Sequence, residues 1–194
     1  MTELETQLLA VIRERSFQLG EFRLASGDTS SYYIDGKMSL VHSRAAALIG
    51  EVLYERTKDL NIDAIGGLEV GAVPMTTAAV ISYHHHGREI EGFWVRDEVK
   101  SHGTKKLIEG GLTPGMRVVI VDDVFTQGKS ALKAVKAVKE KGCIVVRVLA
   151  LVDRLAGARE LFRQNGIEDY EAVFDIEDLG VIVDAGKSLE VVAH

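Results

Sequence analysis

Val118-Val119-Ile120-Val121 is an unbroken run of four β-branched side chains, with no polar residue among them. A strand with one wet face alternates polar and apolar residues, whereas an unbroken run belongs to a strand covered on both faces. Covering both faces takes helices above and below, which is the α/β arrangement built on a mainly parallel sheet. Further short apolar segments lie near 64–66, 92–95, 144–152 and 172–176, separated by helix-like stretches. Helices are predicted over about 2–15, with Leu4, Leu8, Val11 and Ile12 on one face and acids in the first turn, and over about 44–57, with Ser43 as N-cap. After position 130, Leu132, Val135 and Val138 recur beside Lys133, Lys136 and Lys139, giving one packing face and one solvated face. Gly142 is placed to stop that helix in a left-handed conformation. With 194 residues, 46% of them apolar, the chain can bury one domain's core without disulfides.

The formal net charge of -6 argues against broad binding to nucleic acid or to an anionic membrane, both of which use basic faces. Any anionic ligand must be held by local positive charge. The single Cys143 cannot form an internal bridge and reads as a small buried residue, in keeping with a reducing, cytoplasmic compartment. Met1 to Glu5 carry no basic leader, and no long apolar stretch follows, so neither a signal peptide nor a membrane span is expected. His84-His85-His86 precede Gly87-Arg88 and read as the end of a helix, because adjacent side chains diverge and do not converge on one ion.

The apolar run leads into Asp122-Asp123-Val124-Phe125-Thr126-Gln127-Gly128-Lys129-Ser130. The turn from Thr126 to Ser130 is placed to open a helix, whose unsatisfied N–H groups and positive dipole end favour an anion. Two carboxylates beside such a turn would repel a bare phosphate, so they must face neutral hydroxyls or a hydrated metal ion. The nucleotide P-loop fails here, since Asp123 occupies the place of its first glycine. A phosphorylated sugar suits the segment.

These residues resemble the phosphoribosyl pyrophosphate (PRPP) motif of the type I phosphoribosyltransferases. The resemblance implies that family's fold, a mainly parallel sheet flanked by helices with a small N-terminal hood: one domain over 1–194, with hood elements in 1–40 and an α/β core over 41–194. It implies that Asp122 and Asp123 contact the ribose hydroxyls and that Val124, Phe125, Thr126, Gln127, Gly128, Lys129 and Ser130 complete the PRPP site. Many relatives carry Thr-Gly-Gly where this chain has Gln127-Gly128-Lys129.

A second polar segment, Arg96 to Gly110, follows Phe93-Trp94-Val95 and has the composition of a mobile surface loop. Beside a phosphate site, Arg96, Lys100 and His102 supply the cations and donors that a departing pyrophosphate requires. Arg-x-x-x-Lys-x-His-Gly resembles the catalytic loop, about 96–110, of the orotate branch of the family. That resemblance implies catalytic and PRPP-binding roles for Arg96, Lys100 and His102, Mg2+ held mainly by PRPP and water with no protein ligand of its own, and a homodimer whose loops serve the neighbouring subunit. Asp97 stands where relatives often carry Lys, leaving Lys105 or Lys106 to replace that contact.

Three more segments resemble the same branch. Phe22 to Asp35 preserves F-x-L-x-S-G-x-x-S-x-Y-Y of the hood, with Ala25 where some relatives place a PRPP-contacting Lys. Gly66 to Pro74 resembles the pyrophosphate loop, and Asp153-Arg154 the orotate-contacting pair. The branch implies that Arg154, with donors near Thr126, holds the orotate carboxylate, and that the reaction converts PRPP and orotate into orotidine 5'-monophosphate and pyrophosphate. On sequence alone Arg154 has a plainer alternative, pairing with Asp153 or Glu160. Two other functions remain: salvage transfer to a purine or uracil, and PRPP sensing without catalysis. The hood and the Arg96 to His102 loop count against the first. The acidic chain, with no added domain, counts against the second.

Overall fold

The structure is a computed structural model and describes residues 1–23, 29–98, 106–182 and 190–191. The chain opens with α1 (Glu3–Arg15), followed by β1 (Phe17–Arg23) and β2 (Thr29–Ile34). Next come α2 (Gly36–Leu40), α3 (Ser43–Thr57), β3 (Ala64–Leu68), α4 (Ala72–His85), β4 (Glu91–Val95), β5 (Ile108–Gly110) and β6 (Arg117–Phe125). The last part holds α5 (Lys129–Glu140), β7 (Ile144–Asp153), α6 (Ala158–Gln164), β8 (Tyr170–Asp175), β9 (Val181–Ile182) and β10 (Glu190–Val191).

Six strands form the central sheet in the order β5-β4-β3-β6-β7-β8, parallel throughout except where β5 meets β4. The five apolar segments of the sequence are its parallel strands. Alternate side chains of β6 enter two cores, as period-2 geometry requires. Val119 and Val121 join Leu8, Ile12, Ile49, Leu53 and Met75 beneath α1, α3 and α4, whereas Val118 and Ile120 join Val135, Val138 and Phe162 beneath α5 and α6.

Local signals explain the helix ends. Thr2 and Glu5 cap α1 reciprocally, Glu5 N donating to Thr2 Oγ1 at 3.2 Å and Thr2 N to Glu5 Oε2 at 2.7 Å. Gly142, with φ +88°, follows α5 as expected, and His86 closes α4. Ser43 does not cap α3: it is the first helical residue, and His42 holds the extended cap position without a side-chain bond. The 22–35 segment, read as hood residues without a strand assignment, is largely an antiparallel hairpin of β1 and β2. At the amino ends of β7 and β8, Arg56 pairs with Glu5 and Glu171 while Arg147 pairs with Glu171 and Asp169, linking α1 and α3 to the sheet.

The second core reaches the turn before α5. Phe162, fully buried, packs against Phe125 and Tyr170 with ring centroids 5.2 and 5.3 Å away. Phe162→Ala should therefore lower unfolding free energy by about 3–5 kcal/mol, measured by urea denaturation; a loss below about 1 kcal/mol would mean the core closes over the gap.

Candidate active site

The chain continues from β3 to β4 on one side of the sheet and later adds β6 on the other, so the strand order reverses between β3 and β6. Ligands of open α/β sheets bind outside the carboxyl ends of the strands at such a reversal. Two connections meet there, Glu69 to Gly71 before α4 and Thr126 to Gly128 before α5. The Glu69–Val70 peptide is cis. Neither helix has a side-chain cap; the first N–H groups of α5 are open to an anionic ligand, whereas in α4 Val73 N donates to Val70 O at 3.1 Å and Pro74 has no N–H. Gly128 turns the chain with φ +73°, and a Cβ there would stand 2.7 Å from the Phe162 ring. Helix α5 thus begins at Lys129, with Thr126 and Gln127 exposed before it and Ser130 exposed in its first turn.

Strand alternation separates the two carboxylates. Asp122 continues the Val118 and Ile120 row and Asp123 the Val119 and Val121 row. Asp123 lies between Gly36 and Gly71, where a Cβ would come within 2.5 and 2.6 Å of its carboxylate oxygens. It accepts from Val124 N at 2.9 Å, which fixes its direction. Asp122 is only 7% exposed and accepts from Asp123 N at 3.1 Å. Burial first, then the negative charge of Asp123, push its carboxyl up to about 8. Lys37 is a nearby cation: its hydrogen bond to Asp35 raises its pKa most, with the charge of Asp123 contributing less. Gly36 and Lys37 carried no motif signal and were missed in the sequence. Among the described residues, no three His, Cys, Asp or Glu side chains converge as a metal cage.

Of the polar segment, Arg96 lies at the base, its Nη2 donating to Glu109 at 3.0 Å and its Nη1 lying 3.8 Å from Glu69. Asp97, the departure from the family pattern, accepts from Lys133 of α5 at 2.6 Å. The loop expected over about 96–110 is shorter at its far end, because Ile108–Gly110 pairs with β4 as the edge strand β5. Leu107 and Ile108 pack against the second core, and that burial draws the stretch onto the sheet. Lys106 is exposed, while Lys100, His102, Lys105 and Ala25 lie outside the described residues.

Arg154 follows the last residue of β7. Phe125 and Asp153 are register partners, so Thr126 and Arg154 leave adjacent strand ends side by side, and Arg154 N donates to Phe125 O at 2.8 Å. The guanidinium does not pair with Asp153 or Glu160. Its Nε donates to Tyr32 Oη at 3.1 Å, and its carbon sits 4.7 Å from the centre of that ring. Glu160 pairs with Arg163, and Asp153 accepts from Leu155 N at 2.9 Å and from the Tyr170 hydroxyl. Phe125 cannot offer its side chain to a ligand, for it is buried against Phe162 and Tyr170; any contact it makes with PRPP is through backbone. Val124 is half-buried.

The family pattern of the phosphoribosyl transferase domain matches residues 39–163. The orotate phosphoribosyltransferase of Corynebacterium glutamicum is 41% identical over 179 residues, 92% of this chain and 95% of that protein. That of Mycobacterium leprae is 42% identical over 182 residues, 93% of this chain and 99% of its own. The chain belongs to the orotate phosphoribosyltransferase family. A crystal structure of Mycobacterium tuberculosis orotate phosphoribosyltransferase in complex with PRPP superposes with a TM-score of 0.77 at 39% identity, covering 91% of this chain and 99% of that one. The fold is therefore that of the type I phosphoribosyltransferases, and the matched span contains both crevice connections, Asp122-Asp123 and Arg154.

In an orotate phosphoribosyltransferase fold so arranged, Asp122 has a signature measurable without ligand. Its folded pKa, about 8, lies above the ordinary carboxyl value near ~4, so the folded protein holds an extra proton between those pH values. Stability must then fall as pH rises through that window, with the whole cost present above it. Asp122→Asn should flatten the decline of melting temperature between about pH 5 and about pH 8.5; parallel curves for the two proteins would place the proton elsewhere.

Proposed function

We propose that the protein transfers the 5-phosphoribosyl group of PRPP to orotate, releasing pyrophosphate and forming orotidine 5'-monophosphate, the orotate phosphoribosyltransferase step of UMP biosynthesis. One observation carries the proposal: the uncapped, hydroxyl-bearing turn before α5 and the Arg154 guanidinium leave adjacent strand ends, in a chain 41% identical to enzymes of that name. A phosphate at the turn and a carboxylate at Arg154 are thereby held on one substrate pair.

The Thr126 to Ser130 turn receives the 5-phosphate, through α5 N–H groups, the Thr126 and Ser130 hydroxyls and the Lys129 charge. Asp122 and Asp123 take the ribose hydroxyls. A protonated Asp122 can donate as well as accept, which two ionised carboxylates cannot. Arg96, Lys100 and His102 meet the leaving pyrophosphate, where negative charge develops as the bond to C1 of the ribose breaks. Arg154, with Thr126, grips the orotate carboxylate in a bidentate fork and aligns the base nitrogen with C1. Uracil lacks that carboxylate and leaves the fork unpaired.

The oxygen-rich donor set at Asp123, the hydroxyl-bearing turn and the substrate itself suits Mg2+, a hard ion that keeps several waters, held mainly by PRPP oxygens. Bound there, the ion offsets negative charge on the pyrophosphate. The protein works as a homodimer in which loop residues of one subunit serve the site of the other, with one domain per chain and a cytoplasmic location. Among the described residues, no helix is long and apolar enough to cross a membrane.

Incubation with PRPP and Mg2+ plus orotate, uracil or adenine in parallel tests the substrate. Orotate should be consumed with pyrophosphate release, and kcat/KM for uracil should be lower by at least about a hundredfold. Preference for adenine or uracil would replace this function with salvage, and consumption of no base would indicate PRPP sensing. Lys100→Ala should lower kcat by about a hundredfold or more while shifting the melting temperature by less than about 3 °C; near-normal turnover would remove Lys100 from the mechanism.

A further inference from the structure

Arg154 stands at the start of a connection and is half-buried. A free arginine there would sample many rotamers, and a side chain that must meet a planar carboxylate loses affinity for every rotamer it has to abandon. Two contacts limit that freedom. The ring of Tyr32 lies under the guanidinium, 4.7 Å from its carbon, and the Tyr32 hydroxyl accepts from Nε at 3.1 Å. Face and edge of the guanidinium are both engaged by one residue. Among the described residues, neither terminal Nη group has a hydrogen-bond partner, so the fork that recognises carboxylates is left available.

Tyr32 is itself rigid. It is only 3% exposed, sits in β2 opposite Leu19 of β1, and its ring lies 6.0 Å from that of Phe17. On the other side, the backbone beneath Arg154 is pinned. Asp153 accepts from Leu155 N and from the Tyr170 hydroxyl, while Arg154 N is bonded to Phe125 O. Leu155 takes a positive φ of 55°, a conformation unfavourable for leucine that the Asp153 bond helps to hold.

We infer that Tyr32 is a positioning residue for base recognition, holding the Arg154 guanidinium so that its two Nη groups present a pre-formed fork to the carboxylate of the incoming base. The hairpin then does more than cover the site: through one hydroxyl and one ring face it sets the direction of the group that selects the substrate. The inference rests on the proposed orotate transfer, and its test separates the two.

Tyr32→Phe keeps the ring and the packing and removes only the hydroxyl. In a protein that turns over orotate, it should raise KM for orotate about tenfold, the loss of one hydrogen bond to a charged group, and leave KM for PRPP within about twofold. Arg154→Lys removes the Nε–H that Tyr32 holds, so adding Tyr32→Phe to it should change orotate KM by less than about twofold. Independently of activity, the Arg154 Nε–H proton should exchange slowly in the wild type and faster in Tyr32→Phe, as followed by NMR. Unchanged orotate KM in Tyr32→Phe, equal rises for both substrates, or additive effects in the double variant would each overturn the positioning role. Absence of orotate turnover in the wild type, with the slow Nε–H signal present, would instead overturn the proposed reaction and leave the contact standing.

Discussion

Strand β6 lies between parallel neighbours β3 and β7 and is covered on both faces by separate cores. Four consecutive β-branched residues pack in both directions, so a slip of one residue would exchange every side chain between the two cores. The carboxylates that follow inherit this register. Asp123 falls into the gap between Gly36 and Gly71, Asp122 turns toward the opposite face, and the turn to α5 begins where the sheet ends. The rest of the crevice is arranged around that fixed point: α4 and α5 start beside it, and Arg154 leaves the adjacent strand one step along the same ladder.

Charge follows the same geometry. The chain carries a formal net charge of -6, yet two uncapped helix starts and the side chains of Lys129 and Arg154 gather at one end of the sheet. The effect is local because helix termini act within about one turn and charges on the far surface are screened over roughly 8–10 Å. At the opposite end, two arginines are consumed by partners. Arg56 and Arg147 are tied to Glu5, Glu171 and Asp169, and contribute to holding helices on the sheet and not to ligand attraction. Arg96 is intermediate: it stands near the base of the polar segment, and its partners are the carboxylates of Glu109 and Glu69.

What could be read in the sequence was what depends on short-range pattern. Apolar runs marked the parallel strands, an apolar face with acids in the first turn marked the first helix, and Asp122-Asp123 with its turn marked where β6 ends and α5 begins. Features set by pairing between distant segments were not legible. Ser30 to Ile34 looks polar and aromatic in isolation, and becomes a strand only because β1 lies against it. Ile108–Gly110 looked like the end of a loop until the free edge of β4 was available to receive it. Gly36 gave no signal at all, for the need for glycine there arises from Asp123, far along the chain.

Arg154 shows why proximity in sequence does not decide a partner. Asp153 is its neighbour and Glu160 lies within reach of a helix turn, yet each carboxylate is already committed, Asp153 to Leu155 N and Tyr170 and Glu160 to Arg163. A strong carboxylate partner for Arg154 within the protein would have occupied the fork and made the site compete with its own substrate. Tyr32 is a weaker, neutral partner that touches the guanidinium face and its Nε edge and leaves both Nη groups unpaired among the described residues. A guanidinium meant to bind an incoming anion is best held by a group that fixes its direction without neutralising it. An aromatic hydroxyl from a separate hairpin meets that requirement, and it links the β1–β2 hairpin to the residue proposed to receive the base carboxylate.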